Sequence, residues 1–254
     1  MSTTFDDIRG ASVFLTGGGS GIGAALTDGF LAQGARVFFV QRSDASDFCA
    51  AMEAKHGIRP GFAACDVTDT ARLKTCMDRA AAENGPITVL VNNAANDLRH
   101  KALEVDEAFW DRTQAINLKS YFFACQHVLP GMIAAGGGAI VNMSSTSYMM
   151  GAAGFVGYAT ANGAITAMTR SLAREFGPQG VRVNALAPGW VFTEKQLEMW
   201  ADEASVAAHL KRQCLPHPLE PQDMIEPVLF LASSASRAMT GQCMAVDAGV
   251  VVSG

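Results

Sequence analysis

The sequence has no long hydrophobic run, no block of basic residues and no signal-peptide pattern. No segment approaches the roughly 20 apolar residues of a membrane-spanning helix, and the start of the chain, with Asp6 and Asp7, lacks the apolar core of a secretory signal. The net charge is −5 and the isoelectric point is near 5.5. Without a basic patch, neither nucleic acid nor an anionic membrane is an expected partner.

The cysteines and histidines lack the spacing of metal sites. The six cysteines include no C-x-x-C pair, and the five histidines form no pair at helical spacing. We therefore expect no metal. Scattered cysteines are typical of reduced thiols, and we expect the protein to be cytoplasmic.

Apolar segments do occur, in a regular alternation of short and long. The short runs predict strands at Ser12–Thr16, Arg36–Val40, Gly61–Ala64, Ile87–Val91, Ala139–Ser144, Val181–Leu186 and Gln242–Val246. The longer segments have apolar residues at helical spacing and predict helices at Gly21–Gln33, Thr70–Asn84, Glu107–Ala135, Phe155–Phe176 and Pro221–Leu231.

This alternation predicts an α/β fold with a Rossmann-type doubly wound parallel sheet in a single domain. The length of 254 residues fits one such domain over 1–254. In these sheets, ligands bind beyond the carboxyl ends of the strands, where the strand order reverses. The segment at about 188–218 is irregular in pattern and long, so we expect it to be a lid-like insertion over the site.

A glycine-rich turn joins the first predicted strand to the first helix. Thr16 to Gly23 read T-G-G-G-S-G-I-G, and two alanines follow. A nucleoside-triphosphate loop would instead have Lys and Ser or Thr after its last glycine. Glycines let backbone N–H groups approach a phosphate, and a helix N-terminus offers unpaired donors, so the turn predicts a dinucleotide site.

The spacing T-G-x-x-x-G-x-G resembles the pattern of the short-chain dehydrogenase/reductase family. Asp66-Val67, after the third strand, matches the family's adenine-holding pair, and Asn92-Asn93-Ala94-Ala95, after the fourth, is similar to its N-N-A-G turn. The resemblance implies these cofactor-binding residues: Thr16, Gly17, Ser20, Gly21, Ile22, Gly23, Gln41, Arg42, Asp66, Val67, Asn93, Ala94, Tyr158, Asn162, Pro188, Gly189, Val191 and Thr193.

The end of the second strand bears on the choice between NAD and NADP. A carboxylate there would repel a 2′-phosphate, but Gln41 does not, and Arg42 can pair with it. This favours NADP, with NAD possible. Arg42 could instead be a solvated loop residue or stack on adenine, in which case either cofactor would serve.

The resemblance also implies a catalytic group. Tyr158 follows Ser145 by thirteen residues, and the family's tyrosine is the general acid or base while its serine orients the substrate oxygen. Asn117 matches the asparagine that anchors a water in the proton relay.

The family has a lysine one helical turn after the tyrosine, but this chain has Asn162. The lysine binds the nicotinamide ribose and lowers the tyrosine pKa, and a neutral amide can do only the first. Three explanations stay open: an engineered change, a natural divergence with a compensating cation such as Lys119 or Lys101, or a catalytically silent dinucleotide-binding protein.

For the substrate, the chain resembles bacterial aldose 1-dehydrogenases that act on pentoses and 6-deoxyhexoses. A sugar needs several hydrogen-bonding groups and an aromatic face. The residues expected to contact it are Asn96, Arg99, His100, Ser145, Ser147, Trp190 and Glu194. Arg99 could instead be a surface charge and Trp190 a packing residue of the lid.

We therefore expect NAD(P)-dependent oxidation of a sugar at C1 to the aldonolactone. A reductase of ketones or 3-oxoacyl thioesters on the same scaffold is the alternative enzyme. The resemblance further implies a homotetramer, for which small residues on the helices predicted at Glu107–Ala135 and Phe155–Phe176 would allow close packing.

Overall fold

The computed structural model describes residues 3–200 and 202–252. Its centre is a parallel sheet with the order β3-β2-β1-β4-β5-β6-β7. The strands are β1 (Ser12–Thr16), β2 (Arg36–Gln41), β3 (Gly61–Ala64), β4 (Val89–Asn92), β5 (Gly138–Met143), β6 (Val181–Pro188) and β7 (Cys243–Val246). The predicted fold class, a single doubly wound α/β domain, is confirmed.

Helices cover both faces of the sheet. They are α1 (Gly21–Ala32), α2 (Ser46–His56), α3 (Thr70–Asn84), α4 (Glu107–Gln114), α5 (Ser120–Ala134), α6 (Val156–Phe176), α7 (Glu194–Met199), α8 (Glu203–Leu210) and α9 (Ile225–Ala232). A π-helical segment, Ala115–Lys119, joins α4 to α5. Short 3-10 turns lie at Asp6–Ile8, Ala102–Glu104, Gly177–Gln179, Pro221–Met224 and Ser234–Ser236.

The sheet has an apolar core on each side because side chains alternate along a strand. In β1, Leu15 packs on one side with Phe30 of α1, and Phe14 packs on the other with Leu73 of α3. All five residues of β1 are buried. Burial on both faces explains why the central strands are continuous apolar runs rather than alternating ones.

The structure differs from the predictions at three places. The helix expected over Glu107–Ala135 is two helices separated by the π-helical segment. Helix α2 was not predicted, because only Cys49 of its residues is buried and its sequence has no apolar stripe. The 188–218 segment is not irregular throughout, since it contains α7 and α8. Both are started by side-chain caps, from Thr193 and from Asp202.

The topology determines where a ligand can bind. The strand order reverses between β1 and β4, which pair in register. The loops after these strands diverge at their carboxyl ends and leave a crevice there. Among residues 3–200 and 202–252, no helix is both long and apolar enough to cross a membrane.

Candidate active site

A cavity of about 980 Å³ occupies this crevice. Most residues predicted for the site line it: Gly17, Ser20, Ile22, Gly23, Gln41, Arg42, Asp66, Val67, Asn93, Ala94, Asn96, Arg99, Ser145, Ser147, Tyr158, Pro188, Gly189, Trp190, Val191 and Thr193. Thr16, Gly21, Asn117, Asn162, His100 and Glu194 are not among the residues of its wall. The cavity thus joins the glycine turn to Tyr158.

The glycine turn is packed too tightly for side chains. A Cβ at Gly23 would lie 1.7 Å from the carbonyl oxygen of Gly17, and Gly17 itself has a φ of +73°. Thr16 does not face the cavity, because its Oγ1 accepts hydrogen bonds from the backbone N–H groups of Asn93 (2.9 Å) and Ala94 (3.0 Å). Asn93 Nδ2 donates in return to the Thr16 carbonyl at 3.1 Å. These bonds hold the loop after β4 against the turn and leave a backbone cradle.

Gly21 supports the cradle from the other side. It has a φ of +51° at the start of α1, and a Cβ there would lie 3.2 Å from Thr193 Cγ2. Thr193 lines the cavity and caps α7 through a hydrogen bond from Gln196 N. The glycine turn is therefore in contact with the first residues of the segment that was expected to be a lid.

Gln41 and Arg42, at the end of β2, line the cavity next to the glycine turn. Gln41 Oε1 accepts a hydrogen bond from Gly19 N at 2.9 Å, so this side chain supports the turn. Arg42 lines the cavity beside Asp66. A hydrogen bond from Thr68 N lowers the pKa of the Asp66 carboxyl, and the charge of Arg42 lowers it further. No acidic side chain stands at the end of β2 itself.

Tyr158 lies on α6, and its half-buried side chain lines the cavity. Burial raises the pKa of Tyr158 to about 12, and the negative charge of Asp97 adds to the increase. The side chains of Ser145 and Asn162 oppose it only in part. The tyrosine is therefore protonated at neutral pH.

Asn162 lies one turn further along α6. Its Nδ2 donates a hydrogen bond to the backbone carbonyl of Tyr158 at 2.9 Å, and its side chain is buried. The two lysines considered as substitutes for the family lysine are exposed and do not line the cavity, and Lys101 is ion-paired with Glu104 at 3.0 Å. Neither Lys101 nor Lys119 contributes to the pKa of Tyr158.

Asn117 is buried in the π-helical segment rather than in the cavity wall. Its Oδ1 accepts from Asn96 N at 2.8 Å, and its Nδ2 donates to Asn96 O at 3.0 Å and to Thr113 O at 2.9 Å. Because all three bonds go to backbone groups, the amide clamps the loop after β4. π-Helical turns often occur at functional sites, where they redirect a side chain.

The substrate end has an aromatic wall that is held by a polar chain. Trp190 Nε1 donates to Gln196 Oε1 at 2.9 Å, and Gln196 Nε2 donates to one carboxylate oxygen of Asp97. The other oxygen accepts from Lys195 Nζ at 2.7 Å. Sequence reasoning missed Asp97, Lys195 and Gln196 as site residues. An acidic residue two positions after the N-N-A-A turn was the available signal.

The structure does not bring two predicted substrate residues into the cavity. His100 packs its ring against Phe109, with centroids 4.7 Å apart, and its Nε2 accepts from Gly157 N at 3.3 Å. Glu194 is exposed in the first turn of α7, where a carboxylate favours the helix N-terminus. These two side chains are structural in this position.

Two buried polar atoms of the cavity wall have no hydrogen-bond partner in the described part of the chain: Ser147 Oγ and His209 Nε2. His209 packs its ring on Trp190 at 5.2 Å between centroids. Burial lowers the pKa of His209, as does the charge of Arg212. Unpaired buried polar groups are costly, so a ligand that pairs with them is expected. No group of His, Cys, Asp and Glu in residues 3–200 and 202–252 could hold a metal ion.

Known proteins resemble this chain over nearly its whole length. A family model described as enoyl-(acyl carrier protein) reductase matches residues 17–251. A probable galactose dehydrogenase, GalD, of Rhizobium meliloti is 43% identical over 98% of both chains, and a D-xylose 1-dehydrogenase of Caulobacter vibrioides is 41% identical over 98% of both.

Solved structures agree with these matches. A putative short-chain alcohol dehydrogenase of Sinorhizobium meliloti superimposes with a TM-score of 0.91 at 32% identity and covers 95% of this chain and 96% of its own. An aldohexose dehydrogenase of Thermoplasma acidophilum gives 0.86 at 28% identity, over 97% and 96%. The fold and site define a dinucleotide-dependent oxidoreductase. The chain belongs to the short-chain dehydrogenase/reductase family, whose cofactor is NAD or NADP.

Proposed function

We propose that this protein oxidises an aldose at C1 to the aldonolactone. The observation that carries the proposal is that one cavity contains both the glycine-lined backbone cradle and a wall with Tyr158, Ser145 and Trp190. The relatives named for galactose and D-xylose oxidation support a sugar as the substrate. An aromatic ring against the C–H face of a sugar and unpaired Ser147 and His209 for its hydroxyls fit this class of ligand.

A nicotinamide dinucleotide fits the residues of the cradle. The turn excludes side chains at Gly17 and Gly23, so backbone N–H groups at the start of α1 remain accessible to a pyrophosphate. Asp66 and Val67 would hold the adenine, and Pro188, Gly189, Val191 and Thr193 would cover the nicotinamide end. When bound, the nicotinamide ring supplies the acceptor for the hydride that leaves C1.

The protein's own residues handle the proton. Tyr158, as phenolate, takes the proton of the C1 hydroxyl, and Ser145 orients that oxygen. Asn117 fixes the loop that carries Asn96, and the Asn162 amide, which donates one N–H to the Tyr158 carbonyl, keeps a second N–H and its Oδ1 for a contact with the ribose.

Carbonyl reduction is a second candidate, favoured by the raised pKa of Tyr158. At a pKa of about 12, roughly one molecule in 10⁵ carries a phenolate at pH 7. A protonated tyrosine is ready to give its proton to a carbonyl oxygen without any nearby cation. A catalytically silent dinucleotide-binding protein is the outcome if neither direction runs.

NADP is the proposed cofactor, with NAD possible. Arg42 is the cation at the adenosine end, and Gln41 brings no negative charge there. A 2′-phosphate would gain a charge-assisted hydrogen bond from Arg42 that NAD cannot make.

The test combines binding with turnover. NADPH and NADH binding is followed by fluorescence, and D-galactose and D-xylose are assayed with each oxidised cofactor from neutral to alkaline pH. We expect tighter NADPH binding and oxidation that increases with pH, and Tyr158→Phe should abolish oxidation but not binding. Cofactor binding without turnover at any pH would identify the silent protein instead.

We also propose a cytoplasmic homotetramer. Trp110, Phe122 and Val156 are exposed apolar residues on α4, α5 and α6, which fits a contact between copies along these helices. All six cysteines are free, as in a reducing compartment. A monomeric mass in sedimentation at micromolar concentration would remove the proposed assembly.

A further inference from the structure

The substrate end of the cavity carries more positive than negative charge. Its charged wall residues are Asp97, Arg99, Lys195 and Arg212. Asp97 and Lys195 form an ion pair at 2.7 Å and offset each other. Within residues 3–200 and 202–252, neither Arg99 nor Arg212 is ion-paired with a carboxylate. Two positive charges are therefore left without a partner.

Arg99 is held in place by aromatic rings. Its guanidinium lies 4.4 Å from the ring centroid of Trp200 and 5.3 Å from that of Phe155. Phe155 in turn lies 6.5 Å from the ring of Tyr158. A stacked guanidinium keeps the N–H groups at its edge available. Arg99 thus presents donors in the same cavity as Tyr158, with Phe155 in contact with both side chains.

Arg212 faces the same cavity from the end of α8. Within residues 3–200 and 202–252, the one hydrogen-bond partner of its guanidinium is Met150 Sδ, at 3.4 Å, a weak acceptor. Asp247, whose charge acts on the pKa of His209 together with that of Arg212, accepts from Gly249 N (2.9 Å) and Val251 N (2.7 Å) and forms no ion pair with Arg212. Within residues 3–200 and 202–252, no carboxylate forms an ion pair with this second arginine.

Among the remaining polar atoms, Ser147 Oγ can donate or accept and the tautomer of His209 sets the role of its Nε2, whereas the side-chain acceptors of Asp97 and Gln196 are already bonded. Ser147 Oγ and His209 Nε2 are buried and unpartnered in the wall. A neutral sugar hydroxyl both donates and accepts, whereas a carboxylate or phosphate oxygen only accepts.

We propose that the substrate is an aldose that carries an anionic oxygen group, a carboxylate or a phosphate, at the end remote from C1. Arg99 and Arg212 bind that group, and C1 lies at Tyr158. The proposal rests on the proposed function for the position of C1, and it deepens that function by naming the class of sugar. Arginine pairs with either group through two parallel hydrogen bonds.

The first experiment compares sugars that differ only at C6. D-Galactose, D-galacturonate and D-galactose 6-phosphate are assayed with NADP⁺ at alkaline pH. We expect kcat/KM for at least one of the anionic sugars to exceed that of galactose by about 10- to 100-fold, as for hydrogen bonds between charged groups. Whether galacturonate or galactose 6-phosphate has the larger kcat/KM shows whether the site prefers a carboxylate or a phosphate. The advantage should shrink in high NaCl, because both arginines are exposed at the mouth of the cavity.

The second experiment tests the arginines. Arg99→Met and Arg212→Met should each lower kcat/KM for the preferred anionic sugar by about 10-fold or more, mainly through KM, and lower it by a clearly smaller factor for galactose, which has no anionic group. Lys211→Met is the matched control, since Lys211 is exposed beside Arg212 but does not line the cavity. It should leave both sugars unaffected.

The outcomes separate this proposal from the proposed function. Galactose oxidised as well as both anionic sugars, or arginine variants that weaken all sugars alike, would overturn the anionic class and leave aldose oxidation standing. If no aldose is turned over, the proposed function fails. The anion site is then tested by equilibrium binding. Galacturonate and galactose 6-phosphate are titrated into the NADPH-loaded protein, and binding is followed by tryptophan fluorescence. Binding lost in Arg99→Met supports the anion site, and no binding or unchanged binding refutes it.

Discussion

Replacing Asn162 by lysine should restore an ionisable tyrosine at this site. The Asn162 amide lowers the pKa of Tyr158 only slightly, and burial keeps that pKa at about 12. A cation about 4 Å from the phenolate would stabilise it by roughly 4 kcal/mol at an effective dielectric of 20. That energy corresponds to about three pKa units, which would bring the tyrosine to about 9.

The consequence for rate follows from the ionised fraction. Sugar oxidation needs the phenolate, so turnover of the unmodified protein should be very low at pH 7 and rise about tenfold per pH unit over the alkaline range. Asn162→Lys should raise turnover at pH 7 by about 10²- to 10³-fold, if most of the pKa change appears as rate. The pH at which the turnover of Asn162→Lys begins to increase should be lower by about two to three units, because the cation lowers the pKa of Tyr158 by about that amount.

The assay is the initial rate of NADPH formation with a saturating aldose. Dinucleotide affinity should change less than the rate, because the cradle and Asn93 are untouched. Asn162→Gln is the matched control: it extends the amide without adding charge and should not shift the profile. Tyr158→Phe in the lysine variant should remove the gain.

The upper end of the pH range needs a stability control. The pKa of Tyr158 is raised in the folded state above the ordinary value near 10. The contribution of Tyr158 to the free energy of unfolding is therefore fully present below pH about 10, and it is lost as the pH rises toward 12. Circular dichroism across the range separates unfolding from loss of activity. If the unmodified protein is already fast at pH 7 and Asn162→Lys adds nothing, the account of the proton acceptor is wrong.

Three further changes test other parts of the site. Arg42→Ala should weaken NADPH binding by about 1.5–3 kcal/mol and leave NADH nearly unchanged; equal losses in titration would show that Arg42 supports the adenosine only. Asp97→Asn removes the charge that raises the pKa of Tyr158, so the pH profile of turnover should move to lower pH while the KM for sugar increases, because the amide cannot hold Lys195; an unmoved profile contradicts this. Gly23→Ala would place a methyl group on the Gly17 carbonyl, and thermal denaturation together with NADPH titration should show loss of stability or binding; a protein that tolerates it would refute the tight cradle.

The sequence predicted the central strands well because their burial leaves a plain signal. The bounds of Ser12–Thr16 agree with the structure, and the strand predicted at Arg36–Val40 differs from β2 by one residue. Runs of apolar residues flanked by glycine, polar or charged residues allow few alternatives. By contrast, α2 packs weakly, and its amphipathic signal was too faint to separate it from a loop.

The site was only partly predictable, because sequence proximity does not fix direction. Glu194 was expected to face the sugar, but the helical turn of α7 directs it to solvent while Lys195 and Gln196 line the cavity. The bond between Gln196 and Asp97 joins residues 99 positions apart, and no local pattern reveals such a pair. The pKa of Tyr158 likewise depends on burial, which only the packed structure provides.

The π-helical segment between α4 and α5 constrains which deletions this chain can tolerate. A π-turn contains one residue more than an α-turn, so deleting one residue there would let the two helices join as one regular helix. Each residue of an α-helix turns by about 100°, and the deletion would swing Asn117 away from the loop that it clamps. Removing the extra residue would make the helix more regular. It would also break the hydrogen bonds by which Asn117 holds the Asn96 loop beside the cavity.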